Sequence, residues 1–304
     1  MPPSPLNPQF GFPDSPLRRR VPEVRVHKYE LAPPPVIGVF DSGFGGLTVL
    51  SALVSRFPHA KFVFLGDTAR LPYGSKSKRT IARYASESAQ YLVREQGAEF
   101  LVIACNTASA LAIDEIQNSV QVPVLGMIGP GAAAARAASN TGDVIVFATD
   151  ATVQSHAYAS ACRAEGMRAL EKSCPLLVPL VEEGWIDHPV TAEVIRVYLH
   201  ELYAEAATIG LNPDTLVLGC THYPLLRPLI ERAVPKGMKV IDSAEAAADA
   251  AARQFGPLIG PPQIGAPPAE FHFFATDSVD KFERMGSRFL NRAVGQVELV
   301  DLGG

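Results

Sequence analysis

Two cysteines stand where thiols could do chemistry. "LVIACNTASA" (101–110) ends a short apolar run in Cys105, followed by the polar residues Asn106, Thr107 and Ser109. "TLVLGCTHYP" (215–224) repeats that plan with Cys220, Thr221 and His222, and the two thiols lie 115 residues apart. A lone buried cysteine is ordinarily a small core filler. A filler has no reason to recur at the same point of two similar segments. Two thiols flanking one small molecule suit the movement of a proton from one face of a carbon to the other. One thiolate removes an α-proton and the opposite thiol delivers another to the far face. Free thiols are mostly protonated at neutral pH, so such a site must favour the thiolate. A helix starting after each cysteine would point its positive end and free N–H groups at the site, and could hold a carboxylate without Arg or Lys. His222 is the sequence-local candidate for relaying protons.

The elements around these segments alternate. "PVIGVF" (35–40), "KFVFLG" (61–66), "EFLVIAC" (99–105) and "VPVLGMI" (122–128) read as short buried strands. "DVIVFAT" (143–149), "TLVLGC" (215–220) and "MKVIDS" (238–243) continue the series and close it. Helical spacing links Leu50, Leu53, Val54 and Phe57, then residues 77–96, and later Ile195, Tyr198, Leu199 and Leu202. Short apolar strands alternating with amphipathic helices predict an α/β fold with parallel sheets covered on both faces. "VIGVFDSG" and "VIVFATDAT" correspond as the openings of two halves. The chain is therefore expected to hold two similar α/β domains related by internal pseudo-symmetry. Each presents a cysteine at the carboxyl end of a strand, where such sheets bind ligands, and the site lies in the cleft between them. The first domain is expected over residues 35–128 plus 240–304 and the second over 129–239. Residues 1–34 form a proline-rich tail without periodic apolar pattern, expected to be disordered, and its Arg18-Arg19-Arg20 run reads as a solvated basic spot.

Composition narrows the classes. The chain has 304 residues, 47% of them hydrophobic, which is ample for real cores. A formal net charge of −4 leaves no basic footprint for nucleic acid. No run of about 18 uninterrupted apolar residues exists to span a membrane, and the start lacks the order of a secretory signal. Four cysteines in such a chain point to reduced thiols in a cytoplasm. "GFGG" (43–46) fits neither glycine-rich nucleotide loop. Cys105, Cys220 and His222 lack the paired spacing of a zinc site, so no metal is expected. Asp41 also has a plain structural reading as a turn or cap residue. Cys162, Cys174 and Trp185 read as packing.

Four blocks carry a resemblance: "IGVFDSGFGGLTVL" (37–50), "GDTARLPYGSKS" (66–77), "ACNTAS" (104–109) and "GCTHYPLL" (219–226), with "VPLVEEG" (178–184) as a weaker fifth. In order and separation they resemble the cofactor-independent, two-cysteine aspartate/glutamate racemases over roughly residues 36–304. "PYG" and "CTHYPL" resemble the glutamate branch. The resemblance implies an isomerase without cofactor or metal that interconverts L- and D-glutamate and supplies D-glutamate for peptidoglycan. It implies Cys105 and Cys220 as the catalytic thiols, with Asp41 assisting the first. Ser42, Tyr73, Gly74, Asn106, Thr107, Thr221 and His222 are implied to bind substrate. Glu182 is implied as the acid near the second thiol, with the choice over the adjacent Glu183 resting on alignment to "PLVE" alone. A homodimer is implied too. The rival functions are a related racemase, isomerase or decarboxylase acting on another acid such as aspartate, and a non-catalytic small-molecule sensor.

Overall fold

Ten strands order the chain among the described residues, 33–261 and 265–303 of a computed structural model. All but residues 33 and 34 of the expected tail lie outside them. The strands are β1 (Val36–Asp41), β2 (Lys61–Gly66), β3 (Phe100–Ile103), β4 (Val124–Leu125), β5 (Asp143–Ala148), β6 (Arg168–Ser173), β7 (Thr215–Gly219), β8 (Lys239–Asp242), β9 (Glu270–Ala275) and β10 (Val297–Leu299). Every pairing is parallel. One sheet runs β10-β9-β2-β1-β3-β4 and the other β6-β5-β7-β8. The order β2-β1-β3-β4 and the order β6-β5-β7-β8 are the same arrangement met twice. This is the duplication that the paired cysteine segments announced.

The buried strands are apolar because both of their faces are covered. On β1 and β2, Ile37, Val39, Phe62 and Phe64 enter one cluster, whereas Phe40, Val63 and Leu65 enter another on the opposite face. The second cluster packs beneath the helices Lys78–Arg94 and Asn106–Ser119, through residues such as Ile81, Leu92 and Ala112. The first continues through the helices Leu47–Arg56 and Ser243–Ile259 into Ile145 and Leu218 of the second sheet. Alanines line the buried face of Ser243–Ile259, so this helix can approach its neighbours closely. Full burial of a side chain such as Phe64 or Leu216, both 0% exposed, stabilises by about 1.5–3 kcal/mol.

Three strands escape the sequence reading. β6 is an edge strand whose residues "RALEKS" are half-buried or exposed, so no apolar run marks it. β9 and β10 extend the first sheet beyond the "MKVIDS" strand that was expected to end the series. β8 pairs with β7, so the chain returns to the first sheet after Asp242 and the boundary expected at 239/240 cuts through a strand. The helix expected after each thiol is found only once. Asn106–Ser119 starts directly after Cys105, but Cys220 is followed by a single 3-10 turn, Tyr223–Leu226, before the short helix Arg227–Ala233. Pro224, which has no N–H to give, sits in that first turn.

Candidate active site

In both sheets the strand order reverses direction between the first and third strands, and the carboxyl ends at such a switch leave a crevice. Parallel register sets what stands there. Phe40 pairs with Ile103, so Ser42 and Cys105 follow at one level, and the Cys105 thiol donates to Ser42 Oγ at 3.4 Å. Ala148 pairs with Gly219, so Thr149 and Cys220 hold the corresponding places. Both thiols are 5% exposed.

Cys105 caps its helix. Its Sγ accepts from the Ala108 N–H at 3.4 Å, in the position where a side-chain acceptor satisfies a free helix N–H. Asp41 ends β1 close by, 1% exposed, with Oδ2 accepting from the Gly43 N–H at 3.0 Å. Burial raises the Asp41 carboxyl above its usual range, against the opposing pull of His222 and the backbone N–H groups of Gly46, Gly43 and Ser42. Burial, then the Asp41 charge, pushes the Cys105 thiol up to about 12. Burial and the neighbouring Asp41 thus both favour the protonated form of this thiol.

Cys220 has different company. Its Sγ lies 3.9 Å from His222 Nδ1, and His222 Nε2 lies 3.4 Å from Glu182 Oε1. Phe44 and Phe289 wall the imidazole, with ring centroids 6.1 and 5.2 Å away. Burial disfavours the charged ring, yet Cys220 and Glu182 outweigh it and push the imidazole up to about 10. Glu182 is drawn down despite partial burial, by His222 and by Lys281, whose Nζ donates to Oε2 at 3.1 Å. Of the two adjacent glutamates, Glu182 faces His222 and Glu183 is exposed.

The two sets of strand ends meet through specific contacts. Thr107 Oγ1 lies 2.9 Å from Thr149 Oγ1 and 3.3 Å from Thr152 Oγ1. The Thr48 hydroxyl donates to the Thr221 carbonyl at 3.1 Å. The "GFGG" loop makes this approach feasible. A Cβ on Gly45 would fall 2.4 Å from Thr221 Oγ1 and 2.6 Å from the His222 ring, and one on Gly46 would fall 2.6 Å from Asp41 Cβ. Gly45 is a spacer between the halves, whereas Gly46 lets the loop pack onto the ends of β1 and β3. Gly74 brings its loop beside Thr149, where an added Cβ would lie 3.4 Å from the threonine. Tyr73 is 1% exposed, and its hydroxyl is committed to Asp67 at 2.5 Å. The side chain therefore supports the loop that brings Gly74 beside Thr149.

Asp41 Oδ1, Asn106 Nδ2 and His222 Nε2 are buried without an aligned hydrogen-bond partner among the described residues. Buried polar atoms are nearly always paired. His222 Nε2 faces Glu182, whereas Asp41 Oδ1 and Asn106 Nδ2, beside Cys105, are left for a polar small molecule to meet. The described residues contain no cluster of three or more His, Cys, Asp and Glu suited to a metal ion, and no helix long and apolar enough to cross a membrane. Sequence reading missed Thr149 and Thr152. The signal was present, because "VIVFATDAT" aligned with "VIGVFDSG" puts Thr149 opposite the strand end that carries Asp41 and Ser42.

A parallel α/β unit met twice, with a cysteine after the third strand of each, defines a two-half enzyme frame with paired thiols at its strand ends. The Asp/Glu/hydantoin racemase family model matches residues 37–251. A glutamate racemase of Koribacter versatilis is 51% identical over 292 residues, covering 89% of this chain and 98% of that protein. Among solved structures, a glutamate racemase isoform of Bacillus anthracis aligns with a TM-score of 0.79 at 33% identity, over 88% of this chain and 98% of its own. The Francisella tularensis glutamate racemase, solved in complex with D-glutamate, aligns with a TM-score of 0.78 at 34% identity, over 90% and 99%. The chain belongs to the Asp/Glu/hydantoin racemase family, and is an isomerase of its glutamate racemase branch.

Proposed function

We propose that this protein racemises glutamate by a two-base mechanism with Cys105 and Cys220 as the two proton carriers. The observation carrying the reading is that each thiol stands at the same topological point of its sheet with its own acid–base partner, Asp41 for one and His222–Glu182 for the other. In one direction the Cys220 thiolate takes the α-proton of L-glutamate. The C–H electron pair passes into the α-carboxylate, which becomes more electron-rich. The Cys105 thiol then gives its proton to the opposite face, leaving a Cys105 thiolate and D-glutamate. Asp41 and His222 restore the thiols for the next turnover. Ser42, Asn106, Thr107, Thr149 and Thr221, with the Tyr73-Gly74 backbone, supply hydrogen bonds without a formal positive charge. Such preorganised donors matter most where charge develops.

The same reading assigns residues 35–128, with the segment that returns to the first sheet after Asp242, to one domain and the residues between to the other, with the substrate in the cleft between them. It places the enzyme in a cytoplasm as a homodimer supplying D-glutamate for peptidoglycan. Gel filtration with light scattering tests the dimer.

Racemisation in deuterated water, quenched early, tests the chemistry. Product should carry deuterium at the α-carbon, because the delivering thiol has equilibrated with solvent, while recovered substrate stays largely protiated. Product retaining the substrate's own α-proton would show one base serving both faces. No turnover of glutamate, with turnover of aspartate or binding alone, would favour the rival functions.

A further inference from the structure

Tyr158 is fully buried in the helix Ala157–Ala164, and its hydroxyl donates to Asn106 Oδ1 at 2.7 Å. The tyrosine comes from the second half of the chain and the asparagine from the first residue of the helix that Cys105 caps. The ring lies in a slot made by two glycines. A Cβ on Gly131 would fall 3.0 Å from Cε1, and one on Gly219 would fall 2.8 Å from Cε2. Gly219 immediately precedes Cys220, so the slot and the second thiol share a strand end. The nearby Ser243 hydroxyl is spent on the Leu218 carbonyl at 2.7 Å. Asn106 Nδ2, by contrast, is buried without a partner among the described residues.

A carboxamide has an acceptor end and a donor end, and its two orientations are nearly equal in shape. Here the Tyr158 hydroxyl donates at the acceptor end, which leaves Nδ2 as the free end. We infer that Tyr158 is a positioning residue that holds the Asn106 carboxamide with Nδ2 toward the reacting substrate, so that Asn106 acts there as a hydrogen-bond donor to a carboxylate. An acceptor in that place would suit the substrate ammonium instead. A donor gains strength as the α-proton leaves and charge moves onto the carboxylate. Asn106 therefore contributes more in the transition state than in the bound ground state, and Tyr158 maintains that bias from outside the cleft. This rests on the two-thiol racemase reading for its kinetic consequence, but not for the hydrogen bond itself.

Tyr158→Phe removes one oxygen and keeps the ring in its slot. Two measurements follow, with thermal unfolding as the control for folding. In the first, the Asn106 side-chain amide signals are assigned in 15N–1H spectra by their loss in Asn106→Asp. They should shift and broaden in Tyr158→Phe without any substrate present, and unchanged signals would overturn the inference. In the second, kcat for glutamate in both directions should fall about tenfold with a smaller change in KM. The same substitution in an Asn106→Ala background should cost nothing further. An equal loss in both backgrounds would overturn a role through Asn106. A wild-type enzyme inactive on both glutamate enantiomers would refute the substrate reading, and the amide signals would still decide the role of Tyr158.

Discussion

Cys105 and Cys220 occupy equivalent points of equivalent sheets, are equally buried, and yet have unlike surroundings. Cys105 sits on the N-terminus of a 14-residue helix, hydrogen-bonded to Ser42 and Ala108, with the Asp41 carboxyl near enough to act on its thiol. Cys220 has no such helix. Its partner is an imidazole held between two aromatic rings and backed by Glu182 and Lys281. Duplication accounts for where the thiols are, and the residues around each account for its different electrostatic surroundings. The first side combines a helix end with an anion, the second a cation with an anion.

The bluntest way to break the comparison is to remove either thiol. Cys105→Ala and Cys220→Ala should each lower racemisation by about 10³-fold or more, equally severe despite their different surroundings, because each direction needs one acid and one base. Cys162→Ala, in a buried cluster on the far face of the second sheet, serves as control and should leave kcat near wild type with a stability loss of about 1 kcal/mol. A single tolerant thiol in steady-state assays would refute the pairing.

Substituting the helpers sharpens the difference. His222→Asn and Asp41→Asn should each cost about 10²-fold. Enantiomers have equal free energy in water, so kcat/KM must stay equal in the two directions whatever is mutated. The asymmetry must therefore appear in primary isotope effects measured with α-deuterated substrate. If Cys220 deprotonates L-glutamate as proposed, His222→Asn should raise the effect most for L-glutamate, and Asp41→Asn most for D-glutamate. The same pattern in both variants would mean that the two helpers serve one shared relay.

The smallest effect is in stability against pH. His222 is raised from 6.5 to about 10 in the folded chain, so its contribution is complete below about 6.5 and is lost as pH rises through about 10. Cys105 is raised from 9.0 to about 12, so its contribution holds to about pH 9 and fades only above that. Denaturant unfolding between pH 7 and 10 should show wild type losing stability relative to His222→Asn. Cys105→Ala should differ from wild type in slope only beyond pH 9. Parallel wild-type and His222→Asn curves over pH 7–10 would mean that the imidazole is not held charged by Cys220 and Glu182.

Local pattern was enough for much of this molecule. Buried parallel strands must be apolar on both faces, so β1, β2, β3, β5 and β7 were legible as short apolar runs, and the repeated strand–Cys–polar plan disclosed the duplication and both thiols. Asp41, Ser42, Asn106, Thr107, Thr221 and His222 were legible because they adjoin those strand ends in sequence. Tertiary structure alone decided the rest. The edge strand β6 is half-solvated and carries no apolar signature, and β10 is three residues long, so pairing rather than composition defines both. Whether a helix follows Cys220 depended on a 3-10 turn through Pro224, which the matching polar residues could not reveal. Glu182 and Glu183 are chemically identical neighbours, and only the packing of Leu177–Glu182 against the His222 turn separates them. Tyr73, Thr149 and Tyr158 acquire their roles from partners far away in the chain or across the cleft. Strand ends and turn residues are local properties that a sequence carries openly. The direction in which a side chain's last polar atom points is set by contacts between distant segments, and these exist only once both sheets have folded and met.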